Sequence, residues 1–245
     1  ASGDLDIGFS NVISIIQAHE KGFDFIYLTS GAHETPKNRV HAFLATKGSG
    51  IKSMKDLEGK TVGVNTRRNL AELVYTAWAD RQGADVKKFK FVEVPFPQME
   101  PALKGGSIVA AFVVEPFITL PVGHGVANVL IRNPVSVFGD RMMIASYFVR
   151  RAWLKEWGFE ARFFTAVIEK ASRYINEHLE EVPGIIAANT RLTAKLARRI
   201  TLPAFSPKFR KSDLQGPIDL AAKYGFIKKP FDASELISRY ATVAP

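Results

Sequence analysis

Polar side chains that could bind a small ligand follow three short apolar segments of the sequence. Ser10 and Asn11 come directly after "LDIGF", and Glu115 comes directly after "AAFVV". The residues that follow "TVGV" are Asn65, Thr66, Arg67, Arg68 and Asn69. If the three apolar segments are strands of an open α/β sheet, these groups lie beyond strand ends, where ligands bind in such sheets.

The turn at Ser10-Asn11 and the turn from Asn65 to Asn69 are each predicted to lead into a helix. The first backbone N–H groups of a helix lack intrahelical partners, and the helix dipole makes that end positive. Both turns are therefore suited to an anionic or carbonyl oxygen. A second interpretation remains open, because Ser10, Asn11, Thr66 and Asn69 could instead cap their own helices, at about 1 kcal/mol each. One residue can also do both.

The charged residues of the turns have two possible roles. Arg67 and Arg68 are neighbours on a turn and are expected to diverge, so one could face a ligand and the other solvent. Glu115 stands at a predicted helix start, where a carboxylate is favourable for dipole reasons alone. It could also accept from a ligand N–H or pair with an arginine across a cleft.

Residues for catalysis or metal binding do not form a recognisable pattern. The chain has no cysteine, which excludes disulfides, thiolate metal sites and cysteine nucleophiles. The five histidines occur singly, without the spacing of a zinc helix. "GFSNV" lacks the second glycine of a nucleophile elbow, so Ser10 is interpreted as a cap or ligand donor. The sequence predicts no catalytic residues, no metal site and no cofactor.

The composition is that of an ordinary globular protein with excess positive charge. The chain has 245 residues, a net charge of +9 and a mean hydropathy of zero. From Arg150 onward there are seventeen basic and ten acidic residues. These charges alternate at helical spacing without interleaved aromatics, which favours solvated helix faces over a nucleic-acid surface. No apolar run approaches the roughly 20 residues needed to span a bilayer.

The order of predicted elements indicates an α/β fold with two lobes. Strands alternate with helices up to about residue 131, which predicts two mostly parallel sheets flanked by helices. After Pro134 the chain is mainly helical. We predict that lobe one comprises 1–46 and 135–245, and that lobe two, 47–134, is inserted. Two crossovers would join the lobes and permit hinge closure.

Four sequence blocks together resemble the solute-binding proteins of ABC importers. In chain order they are "ASGDLDIGFSN", "GIKSMKDLEGKTVGVNT", "VPFPQMEPALKGGSIVAAFVVEPF" and "AAKYGFIKKPFDASELI". The most similar group is the nitrate, sulfonate, taurine and pyrimidine-precursor branch. The resemblance implies a type II periplasmic-binding-protein fold, with ligand contacts at Ser10-Asn11, at Asn65-Thr66 and the residues after them, and at Glu115. Members usually begin about 50 residues earlier, with a strand, helix and strand of lobe one.

The resemblance also implies a function and a location. The chain is expected to be a non-enzymatic, monomeric receptor that binds a small organic anion and delivers it to membrane permease and ATPase subunits. It would be periplasmic, either secreted or lipid-anchored, with its signal outside this sequence. Two alternatives remain: an enzyme like the fungal thiamine-pyrimidine synthases, disfavoured because their cysteine-rich motif is missing, and the effector-sensing domain of a transcription regulator.

Overall fold

A computed structural model describes residues 4–190 and 192–242 of the chain. Within them the chain forms nine strands and nine α-helices. The strands are β1 (Ile7–Asn11), β2 (Phe25–Glu34), β3 (His41–Thr46), β4 (Thr61–Val64), β5 (Lys90–Glu93), β6 (Ala110–Val114), β7 (Ala127–Arg132), β8 (Met142–Arg150) and β9 (Ala204–Phe205). The helices are α1 (Val12–Glu20), α2 (Leu70–Arg81), α3 (Phe96–Lys104), α4 (Thr119–Gly123), α5 (Arg151–Glu156), α6 (Gly158–Glu177), α7 (Val182–Asn189), α8 (Ala194–Ala197) and α9 (Ser212–Lys223). The predicted α/β class, with two sheets flanked by helices, is confirmed.

The first sheet has the strand order β1-β8-β2-β9, and all of its pairs are antiparallel. The expectation of a mostly parallel sheet is therefore wrong for this sheet. β1 and β2 run in the same direction, as a strand-helix-strand unit requires. The long strand β8 returns from the second sheet in the opposite direction and lies between them, so each of its neighbours is antiparallel to it.

The second sheet has the order β5-β4-β6-β3-β7 and is mixed, with two parallel and two antiparallel strand pairs. β4 pairs in parallel with β5 and β6, whereas β3 is antiparallel to both β6 and β7. Four strands thus share one direction. The predicted boundary of lobe one at residue 46 left β3 in the first lobe, but β3 pairs only within the second sheet. The chain changes sheet in the segment 35–40, and the wider division into lobes stays a prediction.

Two chain segments carry the polypeptide between the sheets. The first, 35–40, is closed by Glu34, whose buried Oε2 accepts from the His41 N–H at 3.0 Å and lies 2.5 Å from His41 Nδ1. The second, 133–141, lies against α2, because the Trp78 indole donates to the Pro134 carbonyl at 2.7 Å. Both crossings are therefore tied to the secondary structure beside them.

A continuous hydrophobic core joins the two sheets. One cluster of buried residues runs from Ile13 in α1 and Tyr27 in β2 to Phe43 in β3 and Tyr75 in α2. The rings of Phe43 and Tyr75 stack with centroids 4.1 Å apart. Helices α1, α2 and α9 contact one another over this core, and this packing sets the position of the helix starts described below. No described helix has the length and apolar character that crossing a bilayer requires.

Candidate functional site

The turn after β1 is built by Asn11, which caps α1. Its Oδ1 accepts from the Ser14 backbone N–H at 3.1 Å, and its Nδ2 donates to the Ser14 hydroxyl at 3.1 Å. Ser10, half-buried just before it, lies directly opposite Ser146 of β8. Directly opposed residues share a face of the sheet. The Ser146 hydroxyl is buried without a hydrogen-bond partner among the described residues, so it adds an unused polar group next to Ser10.

The turn after β4 ends at Asn69, the cap residue of α2. Its Oδ1 accepts from the Leu70 N–H at 2.8 Å, and its Nδ2 donates to the Ser14 hydroxyl at 3.1 Å. Ser14 therefore accepts from both cap residues, Asn11 and Asn69. The two predicted turns belong to different sheets, and this shared hydroxyl brings their helix starts into direct contact.

A second residue of α1, Gln17, contacts the same turn. Its Nε2 donates to the Arg68 carbonyl at 2.9 Å, and its Oε1 accepts from Asn69 Nδ2 at 3.4 Å. Asn11, Ser14 and Gln17 recur every third residue along α1, which places them on one face of the helix. This face of α1 therefore connects the turn before α1 to the turn before α2 along more than one turn of the helix.

The two arginines of the turn diverge, as expected for neighbours. Arg67 pairs with Glu72, whose side chain is only 9% exposed, and donates to the Phe91 carbonyl at 2.9 Å. Arg68 points the other way and donates to the Gly225 carbonyl, beyond α9, at 3.4 Å. Arg67 thus bonds to α2 and β5, while Arg68 bonds to the segment that follows α9.

Glu115 is engaged by its own helix. Its two carboxylate oxygens accept from the Thr119 N–H at 3.1 Å and from the Thr119 hydroxyl at 3.0 Å. The nearest cation is Arg132, which extends from β7 of the same sheet and lies 3.9 Å away. Glu115 therefore accepts from Thr119, the first residue of α4, and a ligand contact by Glu115 stays a prediction.

The remaining predicted residues, Asn65 and Thr66, lie between β4 and the capped start of α2. Asn65 is half-buried and Thr66 is exposed. Beside them, the positive ends of two helix dipoles meet at Ser14. Such an arrangement can bind an anionic or strongly polar oxygen through backbone N–H groups and short polar side chains.

A comparison with protein families matches most of the chain to one family. The model of the family described as "NMT1/THI5 like" matches residues 1–182. The chain belongs to the NMT1/THI5-like family. The matched region contains both capped turns and Glu115. None of the curated protein sequences compared is significantly similar to the chain.

Solved structures show the fold of this NMT1/THI5-like chain. It is similar to the periplasmic aliphatic sulphonate binding protein SsuA of Escherichia coli, with 18% identity and a TM-score of 0.74 over 98% of this chain and 81% of that one. The alkanesulfonate-binding protein SsuA of Xanthomonas axonopodis pv. citri, bound to MOPS, gives 16% identity and 0.78 over 99% and 82%. The nitrate-binding protein NrtA of Synechocystis PCC 6803 gives 14% and 0.76 over 98% and 72%. The predicted periplasmic-binding-protein fold is confirmed.

The sequence interpretation of the NMT1/THI5-like chain did not identify Ser14, Gln17 or Ser146. A signal for the first two exists, because they continue from Asn11 at a spacing of three through an otherwise apolar helix start, "NVISIIQ". Polar residues at that spacing among buried isoleucines indicate a polar contact on one helix face. Ser146 carries no local signal, because its place beside Ser10 depends on the insertion of β8.

A separate concave surface lies away from the predicted turns. A cavity of about 620 Å³ at the other end of α1 is lined by His19, Phe231 and neighbouring residues, including Lys228 and Lys229. Its charges are already partly paired, since His19 lies 3.3 Å from Glu235. The capped turns combine two helix starts and shared polar contacts, so we regard them as the candidate site.

Proposed function

We propose that the protein is the extracytoplasmic solute-binding component of an ABC importer and binds a small organic anion, such as a sulfonate or carboxylate. The observation that carries this proposal is the Ser14 hydroxyl, which accepts from both Asn11 and Asn69 and so holds two helix starts together. Two positive helix ends at one place favour an anion over a cation. Most of the binding energy would come from these short polar contacts.

The residues proposed to form the ligand site are those predicted from the sequence at the three turns. They are Ser10, Asn11, Asn65, Thr66, Arg67, Arg68, Asn69 and Glu115. Within this set the structure supports different roles. Asn65 and Thr66 lie where a ligand could reach them, whereas both arginines are held by other partners and would contribute long-range positive potential.

The names of proteins with the same fold support the ligand class. The two SsuA proteins are named for binding sulfonates, one of them with bound MOPS, and NrtA is named for binding nitrate. All three names describe anions. At 14–18% identity these likenesses establish only the fold, so the extension of ligand class to this chain is part of the proposal.

The same reasoning covers partners and location. We propose a monomeric receptor outside the cytoplasm that delivers its ligand to permease and ATPase subunits in the membrane, using the two predicted lobes to close around it. It would release the ligand chemically unchanged. The chain has no cysteine, which disfavours an enzyme of the thiamine-pyrimidine synthase type.

A thermal-shift screen tests the ligand class directly. The panel compares MOPS, methanesulfonate, taurine, nitrate and benzoate with uracil as a neutral heterocycle and ethanolamine as a cationic amine. A ligand that binds only the folded protein raises Tm by an amount that grows with the logarithm of its concentration relative to Kd, the equivalent of about 2.7 kcal/mol at 100 times Kd. We expect one or more sulfonates or carboxylates to raise Tm.

The net charge of +9 makes a control for nonspecific anion effects necessary. Sodium chloride and sodium sulfate at matched ionic strength should give only the small shift expected from screening. If uracil or ethanolamine stabilises the protein and none of the organic anions does, the anion proposal is wrong. Incubation with the best ligand, followed by mass spectrometry, should return it unchanged; turnover would identify an enzyme.

A further inference from the structure

The turn that leads into α2 contains an unusual backbone conformation at Arg68. Its φ angle is 48°, in the left-handed region that residues with a Cβ atom adopt at a cost. Such conformations persist only where surrounding contacts enforce them, and they cluster at functional sites. Arg68 immediately precedes Asn69, the cap of α2, so its conformation determines where that helix start points.

One side chain outside the turn, that of Gln17, contacts two of its residues. Gln17 donates from Nε2 to the Arg68 carbonyl at 2.9 Å and to the Phe226 carbonyl at 3.4 Å, and accepts from Asn69 through Oε1. Arg68 in turn donates to the Gly225 carbonyl, and its guanidinium lies 5.9 Å from the centre of the Phe226 ring. Gln17 is therefore bonded to two separate segments: the turn that ends at the α2 cap and the chain after α9.

We propose that Gln17 is a positioning residue of the ligand site, which acts by holding Arg68 in its left-handed conformation and Asn69 against α1. This rests on the proposed function, since the site in question is the one formed by the two capped helix starts. The carboxamide suits the task because it offers donors to two carbonyls and an acceptor to one amide at the same time. Neither a carboxylate nor a hydrocarbon side chain can do both.

Among the described polar residues of α1 that contact the turn after β4, Gln17 lies farthest along the helix from the turn after β1. Without Gln17, the Arg68 carbonyl loses its hydrogen-bond donor, and Arg68 relaxes toward ordinary negative φ values. The α2 cap then separates from Ser14, and the two helix starts no longer face one ligand. A site held in place before binding avoids the cost of ordering it afterwards, so loss of Gln17 should appear mainly as faster ligand dissociation.

The test uses the full chain and two independent measurements. The first is the intraresidue HN–Hα NOE of Arg68 in the ligand-free protein, which is strong at positive φ because the two protons are close. The second is the dissociation rate of MOPS, used as the sulfonate probe. We expect Q17A to weaken the NOE and to speed MOPS dissociation about tenfold, and Q17E to do the same because it removes both donations.

Gln215 provides a matched control. It is also a partly buried glutamine that bonds to the backbone, at the Phe231 carbonyl (3.0 Å) and the Ala233 N–H (2.9 Å), but it contacts neither α1 nor α2 through these bonds. We expect Q215A to lower the unfolding midpoint while it keeps the Arg68 NOE and the MOPS dissociation rate of the wild type. A purely structural role of Gln17 would give the same result in Q17A.

A glycine at position 68 supplies the rescue. Glycine adopts positive φ without strain, so residue 68 no longer depends on Gln17 in the R68G background. The Q17A change should therefore lower the midpoint of urea unfolding less in R68G than in the wild type. An unchanged Arg68 NOE in Q17A overturns the positioning proposal, whatever the ligand. If MOPS and the other anions fail to bind the wild type, the proposed function fails, and the NOE comparison still decides the role of Gln17.

Discussion

The Asn69 carboxamide donates to the Ser14 hydroxyl across 3.1 Å, and this contact joins helix starts that follow strands of different sheets. Ser14 lies in the first turn of α1 and already accepts from Asn11. Two cap residues, each of which could be explained by its own helix alone, therefore share one partner. That sharing distinguishes a joint site from two separate capping interactions.

Replacement of Ser14 by alanine should weaken ligand binding. S14A removes the acceptor of two amide donors, and each lost hydrogen bond of this kind costs about 0.5–1.5 kcal/mol. We expect a loss of stability of about 1–2 kcal/mol in urea unfolding and about a tenfold loss of affinity for the best anion in isothermal titration calorimetry. The affinity loss follows because the two helix starts are no longer held at a fixed separation.

Thr193 offers a control for S14A. Its hydroxyl caps α8 by accepting from the Leu196 N–H at 3.2 Å. T193A should lower the free energy of unfolding by about 1 kcal/mol, as removal of a helix cap usually does. It should leave the affinity for the best anion unchanged. Equal affinities for S14A and the wild type would show that the ligand does not depend on the contact between the two turns.

Arg67 should matter more for stability than for binding. R67M leaves the largely buried Glu72 carboxylate without its ion-pair partner and removes the donation to the Phe91 carbonyl. Because the Arg67 side chain is half exposed, solvent compensates in part, and we expect a loss of about 1–2 kcal/mol in urea unfolding. The R67M/E72Q double variant should recover part of this stability, because a buried neutral amide without a partner costs less free energy than a buried carboxylate without one.

The contrast with Arg68 sharpens this prediction. Within residues 4–190 and 192–242, the Arg68 guanidinium has a long hydrogen bond to the Gly225 carbonyl and lies 5.9 Å from the centre of the Phe226 ring. R68M, which keeps a side chain of similar length, should therefore change stability by less than R67M, by about 0.5 kcal/mol or less. If R67M instead retains full stability and loses anion affinity, Arg67 is a ligand contact and its pairing with Glu72 is incidental.

The sequence predicted well those features that arise within a short stretch of chain. The buried strand β4, the cap at Asn69 and helix α2 follow one another, and each has a local signal in residue type and hydrophobic period. The alternation of strands and helices in the second sheet could be predicted for the same reason.

Features that depend on long-range pairing were not predictable in this way. β8 has the composition of a buried strand, but nothing within it specifies that it lies between β1 and β2 and makes the first sheet antiparallel. The pairing of β3 with the second sheet is similarly decided by partners about 70 and 85 residues away along the chain. The role of Ser14 depends on the approach of α2, which local patterns do not encode.

Buried His33 should make stability depend on pH. Burial, opposed by a hydrogen bond to Asp213 and reinforced by the nearby Arg141 charge, lowers the pKa of His33 below its ordinary value of 6.5. The folded protein therefore keeps the ring neutral at pH values where the unfolded chain binds a proton. Stability is then full above about pH 6.5 and falls as pH drops toward the folded pKa, by about 1.4 kcal/mol per unit of pKa difference.

Urea unfolding at a series of pH values between 7.5 and 5 measures this dependence. H33Q keeps an acceptor near the Arg141 guanidinium, which donates to the His33 ring at 2.9 Å, but cannot titrate. Its stability should therefore fall less steeply with acidification than that of the wild type. A wild-type slope in H33Q would show that other groups cause the acid sensitivity.

Two helical glycines should respond in opposite ways to alanine. A Cβ added at Gly216 in α9 would lie 2.7 Å from the Phe138 carbonyl oxygen, a backbone atom of the second crossing that cannot easily move. At Gly184 in α7 the same atom meets nothing within 4 Å. Helix propensity favours alanine over glycine by about 1 kcal/mol at either position, so any difference between them reports the close approach of α9 to the crossing.

We expect G216A to destabilise the protein by about 1–3 kcal/mol, the range typical of overpacked sites. G184A should stabilise it by about 0.5–1 kcal/mol. The midpoints of urea unfolding decide both. Because α9 contacts α1 and α2 over the shared core, a shift of α9 in G216A should also reduce the affinity for the best anion, whereas G184A should leave affinity unchanged. Stabilisation by G216A would mean that α9 does not pack against the crossing this closely.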